Sequence, residues 1–161
     1  MSARSLGFGL LLGALLFAAG WPLLGCHSET DTNTCGMYWP GNLGEGRTRI
    51  GGSAADNTNG YAFSCGGGDA PDWAYFWTAD TADDYVFDAS DSDYDTVLGL
   101  MNEDCSMELA CDNDSYPIGY GLSQFVFHAK AGQRYVVVAD GANGETGFFH
   151  IRVRHLDGSG P

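Results

Sequence analysis

The chain reads as an all-β protein, an antiparallel β-sandwich of seven or eight short strands, on three observations. Short runs rich in Val, Phe, Tyr and Trp alternate apolar with polar positions, as half-buried strands do. Turn-forming residues separate the runs, above all 24 glycines. Beyond the N-terminal stretch no segment carries a helical period, and the strand-to-turn rhythm is that of a sandwich rather than of alternating helices and strands.

In chain order, a short strand is expected near Arg47 to Ile50, within a segment rich in Gly, Asn and Pro. Cys65-Gly66-Gly67-Gly68 is a turn and lacks the Lys-Ser/Thr of a phosphate loop. Trp73 to Thr78 (WAYFWT) is the first strong strand, with Trp73, Tyr75 and Trp77 on one side. That row is either the core face of a sandwich strand or a platform on which a sugar or peptide stacks. A turn over Asp80 to Asp84 leads into Tyr85 to Asp88, and the two strands read as a hairpin-like unit. Thr96 to Met101 and Met107 to Cys111 form a second strand pair. After a loop containing Pro117 come Leu122 to His128 and the Val-rich Arg134 to Asp140. Phe148 to Arg154 closes the series, with Phe149, Ile151 and Val153 inward and His150, Arg152 and Arg154 outward.

The chain is 161 residues long, which suits one domain, and it divides into 1–25, 26–34, 35–156 and a frayed tail, 157–161. Residues 1–25 carry Arg4 and then a nearly unbroken apolar run ending in Leu23-Leu24-Gly25-Cys26. This ending resembles the lipobox of bacterial lipoprotein signal peptides. The resemblance implies cleavage before Cys26, acylation of its thiol and new amine, and stable membrane anchoring through more than one acyl chain. An ordinary secretory peptide or a single transmembrane helix is the competing reading. His27 follows Cys26 where an aspartate would retain a lipoprotein at the inner membrane, so the expected location is the bacterial cell envelope at the outer membrane. Residues 26–34 are then a polar tether and 35–156 the folded domain.

Charge narrows the partners. Twenty-one acidic residues against seven basic ones give a net charge of −14, which excludes duplex nucleic acid as a partner. With Cys26 taken by lipid, Cys35, Cys65, Cys105 and Cys111 remain, an even number for an oxidising compartment. Of the three connectivities, Cys105–Cys111 with Cys35–Cys65 closes the shortest loops and is the pairing expected. No C-x-x-C or close Cys/His spacing supports zinc at these cysteines.

Two acidic clusters are candidate calcium ligands: Asp91, Asp93 and Asp95 in one, Asp112 and Asp114 in the other. Thr96 and Asn102 stand where an EF-hand needs glycine and glutamate, so the site would be a multi-carboxylate one across the strand pair. The alternative is that Asp95 bonds turn amides while the others face solvent. Enzyme signatures are missing from the sequence: no HExxH or GxSxG occurs, and the four histidines are scattered. A hydrolase reading has only the abundance of carboxylates behind it.

One family resemblance covers about half of the chain. It rests on Asp72-Trp73-Ala74-Tyr75-Phe76, Tyr85-Val86-Phe87-Asp88, Asp93-Tyr94-Asp95-Thr96-Val97-Leu98, Cys105 and Cys111-Asp112-Asn113-Asp114. It continues through Ala131-Gly132-Gln133-Arg134-Tyr135, Val138-Ala139-Asp140-Gly141 and Gly147-Phe148-Phe149. In order and spacing these resemble the bacterial pre-peptidase C-terminal domain and the collagen-binding modules of secreted collagenases. The resemblance implies a jelly-roll-like sandwich and a non-catalytic accessory role. Such domains usually follow a protease, and none precedes this one. The expected function is a lipid-anchored envelope module that binds an extracellular protein or polysaccharide, with Trp73, Tyr75, Tyr116 and Tyr120 as contact aromatics. A purely structural or partner-docking lipoprotein is the alternative.

Overall fold

The computed structural model describes Leu43 and residues 48–52, 59–115 and 121–158. Residues 1–42, with the leader, Cys26, the tether and Cys35, lie outside the described residues, as do Tyr116 and Tyr120.

Eight strands follow in order: β1 (Thr48–Gly52), β2 (Trp73–Thr78), β3 (Asp83–Asp88), β4 (Thr96–Asn102), β5 (Glu108–Asn113), β6 (Gln124–Ala129), β7 (Arg134–Gly141) and β8 (Phe148–His155). They form two four-stranded sheets, β1-β8-β3-β6 and β2-β7-β4-β5, with every pairing antiparallel. Consecutive strands alternate between the sheets except at β4–β5, which is the strand order of a jelly roll built from two Greek keys. The jelly-roll expectation therefore holds, and WAYFWT becomes a strand with the expected bounds.

The β2–β3 hairpin does not form. β2 pairs with β7 and β3 pairs with β6 and β8, so the turn between them crosses from one sheet to the other. The reason lies in the core. Trp77 on β2 points across the sandwich and meets Tyr85 and Phe87 of β3 edge-on at 4.7 and 5.1 Å, while stacking on Tyr135 of its own sheet at 5.6 Å. Aromatic pairs of this kind are stabilising beyond the area they bury, and a hairpin would put these rings side by side in one sheet instead. Around Trp77 the inner faces contribute Tyr75, Leu98, Leu100, Val137, Phe149, Ile151 and Val153, all buried.

The second sheet is buried on both faces. Ala74, Phe76, Val97, Val136 and Val138 point away from the main core, yet they form a second buried cluster with Tyr61 and Phe63. Those two come from the segment before β2, which lies over the outside of the sheet. The consecutive valines of β7 reflect this: a strand covered on both sides needs no polar alternate. Gly99 on β4 makes room for the cover, because a Cβ there would overlap the Phe63 ring.

The cover is stapled covalently, and here the expected cysteine pairing is corrected. Cys65 bonds Cys111, with a Cα–Cα distance of 6.0 Å and a sequence separation of 46. Neither Cys105–Cys111 nor Cys35–Cys65 is therefore present. Cys105 is itself disulfide-bonded. Closing the shortest loop favours neighbours in sequence, but register decides otherwise. Cys111 pairs opposite Gly99, three residues into β5, roughly 10 Å along the strand from its start. Cys105 sits in the turn before that strand, whereas a disulfide spans Cα atoms only about 4.4–6.8 Å apart. Peptide mapping of the unreduced protein will return a Cys65–Cys111 cross-link; a Cys105–Cys111 peptide would contradict the fold. Replacing both Cys65 and Cys111 by Ala will lower the unfolding free energy in urea by up to about 4 kcal/mol, the chain-entropy value for a loop of this length.

Candidate functional site

The aromatic row of β2 belongs to the core. Tyr75 is 5% exposed and meets Phe149 edge-on at 6.1 Å. Trp73 is half-buried and tilts against the same ring at 5.7 Å. Tyr75 is thus corrected from a contact aromatic to a core residue: inward alternation on β2 turns its ring into the sandwich and leaves no platform.

The five candidate calcium ligands do not converge either. Among the described residues none of them belongs to a group of three whose ligand atoms lie within 4.8 Å of one another. Asp91 pairs with Arg152 at 2.5 Å. Asp93 accepts the Phe148 amide at 2.7 Å. Asp112 accepts the amides of Gln124 and Ser115 at 2.8 and 3.2 Å, and the Ser115 hydroxyl as well. Asp95 lies close against Gly121, and burial, followed by the charges of Asp114 and Glu145, raises its pKa. A calcium cage needs six to eight oxygens directed at one point. Here Asp93 and Asp112 are directed at backbone amides and Asp91 at an arginine, while Asp95 Oδ1 is buried without a hydrogen-bond partner among the described residues.

A different pair of carboxylates is brought together. Asp72, just before β2, and Asp140, near the end of β7, are both fully buried, and each lies near enough to perturb the titration of the other. Gly60 and Tyr61 donate their amides to Asp72 Oδ2 at 2.6 and 2.7 Å. Gly68 donates to Asp140 Oδ2 and Gly141 to Asp140 Oδ1, both at 2.6 Å. The glycine turn thus cradles a carboxylate rather than a phosphate. Gly66, Gly67 and Gly68 all take positive φ (145°, 80° and 89°), and a Cβ on Gly67 would strike Asp140. Burial, with the neighbouring Asp140, pushes Asp72 up to about 7 despite its two amide bonds, and burial raises Asp140 too. Tyr94 beside them is also raised, by burial and then by Asp140, Asp93 and Asp72. Burial of neighbouring carboxyls disfavours their charged forms, so the pair retains a proton to higher pH than a free carboxyl does. In sequence they are single aspartates at two strand ends, with no spacing to link them.

The outward faces of the two sheets differ. The second sheet is covered by Tyr61 and Phe63, whereas the outer side of the first carries half-exposed His150, Arg152 and Arg154 of β8 and exposed Val126 and His128 of β6. Four large apolar residues are well exposed among the described residues: Met107, Val126, Phe148 and Leu156. Three of them lie on this first sheet: Phe148 opens β8, Leu156 follows its last residue and Val126 lies mid-strand on the β6 edge. From Phe148 to Leu156 the strip is roughly 27 Å long. His128 lies 2.7 Å from Asp84 within it.

No family model and no curated protein matches this chain. Among solved structures, the chain is similar to the pre-peptidase C-terminal domain of collagenase from Bacillus anthracis. The alignment covers 73% of this chain and 97% of that domain, with a TM-score of 0.48 and 16% identity.

The carboxyl pair gives the fold a specific pH signature. A folded-state pKa raised to about 7 means that the folded protein holds a proton the unfolded chain releases near pH 4. Stability from this group is highest below pH 4, falls as pH rises from about 4 to 7, and is level above that. Asp80 and Asp83, whose pKa values are lowered, act in the opposite sense below that window. Subtracting the urea stability of Asp72→Asn from that of wild type at each pH isolates the group. The difference will decline across pH 4–7, and a flat difference would contradict the assignment.

Proposed function

We propose that this chain is a non-catalytic module, tethered to the bacterial envelope by lipid on Cys26, that binds an extracellular protein or polysaccharide. The observation that carries the binding half is the asymmetry of the sandwich: one sheet is sealed by the Tyr61–Phe63 cover, while the other presents an open strip with Phe148, Val126 and Leu156 exposed. Phe148 at the start of β8 and Leu156 just past its end, with Arg152 and Arg154 between them, suit an extended chain laid along β8. Aromatic and arginine side chains are the residues that dominate contact surfaces. The disulfide framework suits an exported protein, where oxidised cysteines persist. Under this reading the buried Asp72–Asp140 pair shapes the cover and takes no part in chemistry.

Retention on collagen, chitin and peptidoglycan tests the binding strip. The wild-type domain will be retained on one of these, and the Phe148→Ala/Leu156→Ala double variant will bind it at least about ten-fold more weakly, the loss of two contact side chains, with an unchanged thermal melt. No retention of wild type on any polymer would leave the partner-docking reading ahead. For the anchor, Cys26→Ser will move the protein from the membrane fraction to the soluble one. An unchanged distribution would remove the lipid tether from the account.

A further inference from the structure

At one end of the sandwich, where β3 begins and β8 finishes, the fold gathers three metal-ligating side chains that no sequence spacing announces. The β3–β8 ladder sets Tyr85 opposite His155. Asp83 lies two residues before Tyr85 on the same strand face, and the Leu156 amide donates to the Asp84 carbonyl at 2.8 Å, fixing the end of the ladder. The Gly158 amide donates to the His155 carbonyl at 3.2 Å, closing a turn that returns Asp157 toward β3. One ligand atom from each of Asp83, His155 and Asp157 then lies within 4.8 Å of the other two.

The histidine is held firmly. Its side chain is 7% exposed, and its ring lies against Tyr85 at 4.4 Å between centroids. Nδ1 is 3.0 Å from Asp83 Oδ2, and Nε2 faces Asp80 Oδ1 at 3.6 Å. Asp80 is itself fixed, since its Oδ1 accepts the Tyr85 hydroxyl at 2.6 Å.

We propose that Asp83, His155 and Asp157 bind a divalent transition metal of the zinc class, with Asp80 orienting the imidazole from outside. Imidazole with two carboxylates is a donor set for zinc rather than calcium, which takes oxygen alone. Asp157 sits on an exposed turn, where its side chain has room to close on an ion at metal–ligand distances of about 2.0–2.2 Å. A carboxylate at the second ring nitrogen is the usual support for a metal-bound histidine, fixing its tautomer and orientation. Two carboxylates balance the charge of the ion, and a water completes a four-coordinate site. Without metal, Asp83 and Asp80 face the two ring nitrogens.

The test uses the intact protein, stripped with chelator, titrated calorimetrically with zinc chloride and separately with calcium chloride. The site predicts one zinc per chain, little calcium uptake at these residues, and a zinc-dependent rise in melting temperature. Asp157→Asn, on an exposed turn that leaves the fold intact, and His155→Gln will each weaken zinc by at least about ten-fold. His128→Ala, at the exposed Asp84 pair, will leave it unchanged. Zinc uptake that is absent, or that survives Asp157→Asn undiminished, would overturn the proposal.

Discussion

The structure depends on the segment that seals the outer face of the second sheet. β2, β4 and β7 are apolar on both sides, and a sheet of that kind cannot stand with one face in water. Tyr61 and Phe63 supply the missing apolar partner. Phe63 settles over Gly99, where no side chain competes for the space. Hydrophobic contact alone would leave so short a cover loosely placed. Three further restraints position it: the Cys65–Cys111 bond, the Gly60 and Tyr61 amides on Asp72, and the Gly68 amide on Asp140. Burying two carboxyls is costly unless they are hydrogen-bonded. Here amides meet both, and the raised pKa of each favours its uncharged form.

The same arrangement makes the two outer faces unlike. That of β2-β7-β4-β5 is covered by Tyr61 and Phe63, whereas among the described residues the other carries exposed Val126 and Phe148. The main core does not distinguish them, because Trp77, Tyr85 and Phe87 bind the two sheets to each other whichever face is open.

Much of this was legible in the sequence, and the limits have physical causes. Strands could be read because alternation is local: β2 and β7 begin at the residues the pattern marks, and the inward set Phe149, Ile151 and Val153 is the one found buried. Pairing is not local. The short turn after Thr78 looks the same whether it closes a hairpin or crosses between sheets, and only the long-range fit of Trp77 against β3 decides. The disulfide was misread for the same reason, since short loops are favoured in the unfolded chain while the native bond is set by where Gly99 and Cys111 meet. Clustered aspartates point to Asp91, Asp93 and Asp95, yet Asp91 pairs with an arginine and Asp93 accepts a loop amide. Asp72, Asp140 and His155 stand alone in the sequence, and only β-sheet register brings each to its partners.

Hydrogen exchange over residues 59–70, in the oxidised protein and after reduction, tests the sealing segment most directly. The Tyr61, Phe63, Gly66 and Gly68 amides, each bonded to a carbonyl or a buried carboxylate, will exchange slowly when Cys65–Cys111 is intact and markedly faster once it is reduced, while β8 stays protected. Exchange in the oxidised protein as fast as in the turn at 156–158 would contradict the account.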